Sequence, residues 1–276
     1  MRPCVGFWSH IMPSPRAFPL EPPPAIANSE GLMKTCNWIK GLTAIALTIC
    51  LSPIAAADPV RIFAAASLQG PLDDIATQWD QNSTISYGGS GTIARQISLG
   101  APADVVILAN ETWADWLVDA GHVAGPARAL MSNALVLVAP DGTPPFDHIN
   151  STTLRDALGD GRLAMGQHQS VPAGIYAKAW LDHTGAWPSL RPRLAETENV
   201  RAALALVARR ETPLAVVYAS DALASDKVAV VWAIPADQYP PILYHGLALT
   251  PEGRAFLDEL TTRISVFTAA GFVGLP

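Results

Sequence analysis

The chain has 276 residues, half of them hydrophobic, with 18 Lys and Arg against 24 Asp and Glu and a formal net charge of −6. An acidic chain lacks the basic face that phosphate-backbone binding needs, so nucleic acid is not an expected partner. All three cysteines (Cys4, Cys36, Cys50) fall in the first 50 residues, which leaves the rest without disulfide or thiol chemistry.

Residues 1–32 carry seven prolines and no hydrophobic periodicity, and read as disordered or as an extension upstream of a true start at Met33. From Met33 two lysines (Lys34, Lys40) precede the apolar run Gly41 to Leu51 and an Ala55-Ala56-Ala57 exit. A positive start, an apolar stretch too short to span a bilayer and a small-residue end describe a secretory signal peptide over 33–57, with the mature chain beginning near Asp58. Cys50 is not expected to carry a lipid, because Thr48-Ile49 lacks a small residue before it. Removing the four basic and two acidic residues before Asp58 leaves 219 residues, with 14 Lys and Arg against 22 Asp and Glu, a formal charge of −8.

The mature region then alternates strand and helix patterns. Val60 to Ala66 reads as a buried strand, followed by Ser67, placed to cap a helix that runs to Trp79. Thr84-Ile85-Ser86 is a second strand, Thr92 to Leu99 a helix stopped by Gly100, and Asp104 to Ala109 a third strand. A helix from Glu111 to Ala120 follows, then a strand over 134–139 and the turn-forming Pro140-Asp141-Gly142-Thr143-Pro144-Pro145. Beyond it the spacing predicts a helix near 153–158, a strand at 162–166, helices over 173–184 and 198–210, and strands at 214–218 and 228–232. A return strand at 242–249 and one long helix from Pro251 to Ala270 end the chain. This order implies an α/β fold of parallel-sheet units, in which ligands lie beyond the carboxyl ends of the strands.

Between the second strand and its helix lies Tyr87-Gly88-Gly89-Ser90-Gly91-Thr92. A Gly- and hydroxyl-rich handover from strand to helix exposes backbone N–H groups at the positive end of a helix dipole, a place to hold an anion. The loop has no Gly-Lys-Ser/Thr ending of a nucleotide P-loop and no Gly-x-Ser-x-Gly elbow. The histidines His148, His168, His183 and His245 are scattered without metal-ligand spacing. No catalytic residue and no direct metal-cation ligand is expected, although a secreted serine hydrolase stays open if a distant His and Asp converge on Ser67 or Ser90.

Several stretches in order carry a resemblance: Phe63 to Leu68, Thr92 to Ile97 with Gly100 to Asp104, Asn133 to Pro140, Val171 to Lys178, Asn199-Val200-Arg201, and Val217 to Asp221. Over almost its whole mature length the chain resembles the periplasmic molybdate-binding proteins of bacterial ABC uptake systems. The resemblance implies a two-lobed periplasmic binding protein of type II, each lobe a mostly parallel sheet flanked by helices, with a hinge between them. The lobes are expected at 58–138 with 238–276 and at 139–237. It also implies an oxyanion, molybdate or tungstate, held by Ser67 and Ser90 from the first lobe and Ala173, Val200 and Tyr218 from the second. Two serines giving hydroxyl and amide, two further amides and a phenol would make up to seven donors. A site of donors without a carboxylate acceptor suits a fully deprotonated dianion, since a ligand keeping a proton would waste it. No cofactor is implied; the implied partner is a membrane permease, and the protein is expected to be a monomer. A related receptor for another oxyanion or small solute is the alternative. The family commonly has a Ser-rich run where this chain has Gly88, Gly89 and Gly91, which is expected to leave more backbone freedom to lose on binding.

Overall fold

The computed structural model describes residues 58–123 and 125–275; the expected signal peptide and the segment before it lie outside the described residues. β1 (Val60–Ala65) leads through one 3-10 turn (Ala66–Leu68) to α1 (Pro71–Thr77), and β2 (Ser83–Gly88) to α2 (Ser90–Ser98). β3 (Val105–Leu108), α3 (Glu111–Asp119) and β4 (Arg128–Ser132) follow. Next come β5 (Leu135–Pro140), α4 (Ser151–Leu158), β6 (Leu163–Gly166), α5 (Pro172–His183) and the short α6 (Trp187–Leu190). β7 (Leu194–Thr197), α7 (Val200–Ala208), β8 (Leu214–Tyr218), α8 (Ala219–Leu223) and β9 (Val228–Ala233) complete the middle of the chain. β10 (Leu243–Ala248), α9 (Pro251–Thr262) and α10 (Ile264–Ala269) end it.

These strands form two five-stranded sheets of matching topology, β2-β1-β3-β10-β4 and β7-β6-β8-β5-β9. β1 pairs parallel with β2 and β3, while β10 runs antiparallel to β3 and β4. In the second sheet β6 pairs parallel with β7 and β8, while β5 runs antiparallel to β8 and β9. Each lobe is therefore a mixed sheet with one reversed strand, flanked by helices. Interior strands have both faces covered, so they read as unbroken apolar runs: all four residues of β3 and all five of β8 are buried. Full burial of each such Val, Ile or Leu side chain is worth about 1.5–3 kcal/mol, which is what holds these strands at the centre.

Four expectations need correction. The strand at 134–139, expected in the first lobe, instead forms β5 and pairs with β8 and β9, so the chain changes sheets at Asn133-Ala134 rather than after 138. A run that is apolar on both faces encodes burial but not which sheet does the burying. β4 and β7 were not anticipated; they are short and carry exposed residues such as Arg128 and Glu196, so their periodicity is weak. The final helix is two, because the hydroxyls of Thr261 and Thr262 bond back to the carbonyls of Asp258 and Glu259 and the backbone turns at Arg263 (φ −113°, ψ 25°). Finally, Ser67 is not the cap of α1. It sits within the 3-10 turn, and Gly70 occupies the cap position before Pro71.

Candidate functional site

Ser67, Ser90, Ala173, Val200 and Tyr218 come together on the wall of one small cavity. All five are buried. The first two come from the sheet of β1 and β2, the other three from α5, α7 and β8 of the second sheet. No charged side chain lines the cavity.

The local sequence explains why amides face it. Ser90 is the first residue of α2, Ala173 the second of α5 and Val200 the first of α7, positions whose N–H groups have no partner within the helix. Elsewhere in the fold such amides are satisfied by side chains: Asn110 caps α3, Asn150 caps α4 and Thr250 caps α9. The cap positions of α2 and α5 are Gly89 and Val171, which offer no side-chain acceptor. At α7 the Asn199 side chain accepts from Ala202, leaving the Val200 amide unclaimed by the cap. Three helix N-termini thus bring positive dipole ends toward one small space.

The hydroxyls are arranged in the same sense. Ser90 Oγ accepts from the Ala109 amide at 3.0 Å, so its proton is left for the cavity. Ser67 Oγ lies 2.8 Å from Tyr244 Oη. Neither serine is bonded to a histidine, as a hydrolase nucleophile would be. The Tyr218 hydroxyl is fully buried and has no hydrogen-bond partner among the described residues, and burial raises its pKa well above the usual phenol range. It is a protonated donor without an acceptor, at the wall of the cavity.

Charge stands just behind the wall and is internally balanced. Arg201, next to Val200, pairs with the wholly buried Asp221 at 2.6 Å. Asp221 also accepts from the Tyr218 amide at 3.3 Å, and Arg201 Nη2 donates to the carbonyls of Ser67 (3.4 Å) and Gln69 (3.3 Å) on the other lobe. Burial pushes the Asp221 carboxyl up to about 6, and Arg201 opposes that rise. A second inter-lobe contact runs from Asn110 Nδ2 to Tyr176 Oη at 3.1 Å. Among the described residues no group of three or more His, Cys, Asp or Glu could hold a metal ion.

Sequence reasoning assigned no role to Arg201, Asp221, Asn133 or Tyr244, although the first three sit in the stretches that carried the resemblance. The available signal was a polar residue directly abutting an apolar run, as Asn133 abuts Ala134 to Ala139.

Comparison with known proteins agrees with this architecture. Residues 60–273 match the family model of bacterial extracellular solute-binding proteins. The molybdate-binding protein ModA of Escherichia coli K12 is 43% identical over 217 residues, covering 75% of this chain and 84% of that protein. The ModA of Haemophilus influenzae is 34% identical over 221 residues, covering 75% and 85%. Among solved structures, the Azotobacter vinelandii periplasmic molybdate-binding protein superposes with a TM-score of 0.68 at 24% identity, covering 79% of this chain and 99% of that one. The chain therefore belongs to the bacterial extracellular solute-binding proteins and, within them, to the ModA molybdate-binding family.

Proposed function

We propose that the protein captures molybdate, and tungstate with it, in the cavity between its lobes and delivers it to the permease of an ABC transporter. Ser67, Ser90, Ala173, Val200 and Tyr218 are its ligand-contacting residues in this reading. The observation that carries it is a small buried cavity furnished with donors, one of them the partnerless Tyr218 hydroxyl, and with no charged side chain. Neutral donors can hold a dianion there because hydrogen bonds to a charged acceptor are roughly twice as strong as neutral ones. A carboxylate on the wall would have favoured a protonated ligand; its absence favours a fully ionised one.

The protein acts as a receptor and not as an enzyme, in the periplasm after removal of the signal peptide, and as a monomer. Among the described residues the first lobe comprises those from Asp58 to Ser132 together with those from Leu243 to Leu275, and the second runs from Leu135 to Ala233. Ligand binding closes the lobes on the crossings between them, and the closed form engages the permease. Calorimetry of the chain from Asp58 with molybdate, tungstate, sulfate and phosphate tests the assignment. Tight binding of the first two is expected; no heat from either would overturn it.

A further inference from the structure

A hydroxyl at an anion site is useful only when its proton faces the anion; turned around, it presents a lone pair and repels. The Ser67–Tyr244 contact at 2.8 Å does not by itself say which oxygen donates. The answer lies further back. The Ala134 backbone amide can only donate, and it lies 2.9 Å from Asn133 Oδ1, which fixes the orientation of that carboxamide. Asn133 Nδ2 is thereby turned toward Ser220 Oγ at 2.8 Å and Tyr244 Oη at 3.4 Å. An amide nitrogen only donates, so Tyr244 accepts from it, and among the described residues Ser67 Oγ is the one acceptor within reach of the phenol proton. That engages a lone pair of Ser67 and leaves the Ser67 proton for the cavity.

We infer that Asn133 and Tyr244 are positioning residues that lock Ser67 as a hydrogen-bond donor to the bound oxyanion. The inference rests on the proposed reading of the cavity as an oxyanion site. Its root is the chain crossing between β4 and β5, where Asn133 and Ala134 lie, and its members are buried, so water does not compete for the direction of the relay. A singly protonated anion would meet a donor at Ser67 where its own proton needs an acceptor.

A double-mutant cycle separates this role from a structural one. Molybdate affinity is measured by calorimetry for the parent, Tyr244→Phe, Ser67→Ala and the double variant, with thermal melting without ligand to verify folding. Tyr244→Phe is expected to weaken binding about fivefold, the effect of one hydrogen bond of ordinary net strength. In the Ser67→Ala background the same change should alter binding less than about twofold. Equal losses in both backgrounds, or no loss in the first, would overturn the inference. Asn133→Ala, taken through the same cycle, gives a second reading that holds if Tyr244→Phe does not fold. Absence of binding by the parent would instead sink the molybdate assignment, and the inference with it.

Discussion

Gly89 and Glu198 face one another across the cleft so closely that a Cβ on Gly89 would overlap the Glu198 carbonyl oxygen. A Cβ on Gly91 would lie 2.5 Å from the Ser170 carbonyl oxygen and 2.7 Å from the Trp113 ring. Neither glycine has a positive φ, so the loop does not use them for conformational freedom. They let backbone from one lobe approach backbone of the other, and backbone cannot swing aside as a side chain can. The extra freedom expected of this Gly-rich run is thus replaced by a geometric role. Gly89→Ala should prop the lobes apart and weaken molybdate binding at least tenfold, a penalty of about 1.4 kcal/mol or more. Calorimetry reads the affinity, and small-angle scattering should show a smaller ligand-induced contraction than in the parent. Unchanged affinity would show that closure does not depend on this contact.

Tyr218→Phe should move stability and affinity in opposite directions. Removing a buried hydroxyl that has no partner relieves a desolvation penalty of about 1–3 kcal/mol, so melting without ligand should hold steady or rise. Molybdate affinity should fall by roughly tenfold or more, since a hydrogen bond to a charged group is worth about 1.5–3 kcal/mol. Melting curves with and without molybdate display both effects in one experiment.

Ser90→Ala makes the contrasting case. Ser90 Oγ already accepts from the Ala109 amide, so its removal leaves a buried N–H without an acceptor. Melting without ligand should therefore fall, by about 1–3 kcal/mol in stability, together with the affinity. A variant that lost affinity alone would show that water replaces the serine oxygen.

Arg201→Met would leave Asp221 buried and unpaired. Removing one partner of a buried ion pair typically destabilises by about 3–5 kcal/mol, far more than the pair contributes against an apolar substitute. Urea unfolding at neutral pH measures the loss, and Asp221→Asn in the same background should recover part of it.

Asp221 also sets a pH dependence whose sign runs opposite to that of an ordinary surface carboxylate. Its pKa rises from 3.8 to about 6 on folding, chiefly through burial. The folded state therefore holds the proton more tightly, and the group's stabilising contribution is complete below about pH 3.8 and lost as pH rises to about 6. The whole effect is on the order of 3 kcal/mol. In urea unfolding between pH 4 and 7, parent stability relative to Asp221→Asn should decline up to about pH 6 and then level off. A flat difference would mean that Asp221 stays ionised throughout.

The strand and helix order was legible wherever burial imposes a pattern, as in β3, β8 and α5. The five cavity residues were legible only through resemblance, because an amide donor leaves no trace in the identity of an alanine or a valine. Ala173 and Val200 function in this reading through backbone that any residue would supply, and only the helix start beneath them gives their position meaning. What remained hidden was relational. Nothing in Leu135 to Ala139 says which sheet receives it, and nothing in Gly89 names Glu198 as its neighbour. Asn133 is one polar residue before an apolar strand until Tyr244, 111 positions later, is found beside it.

The position of β10 has a consequence for how the chain is made. It lies between β3 and β4, so β4 has no partner in its sheet until residues 243–248 are available. A fragment ending at Ser132 would hold three paired strands and one stray, with an open edge beside β3. Such a fragment should be insoluble alone and recover its fold only when the remainder is supplied. The first sheet thus waits for residues 243–248, and long-range pairing of this kind is slow. In the proposed reading of the chain as an exported receptor, that delay keeps it threadable until it has crossed.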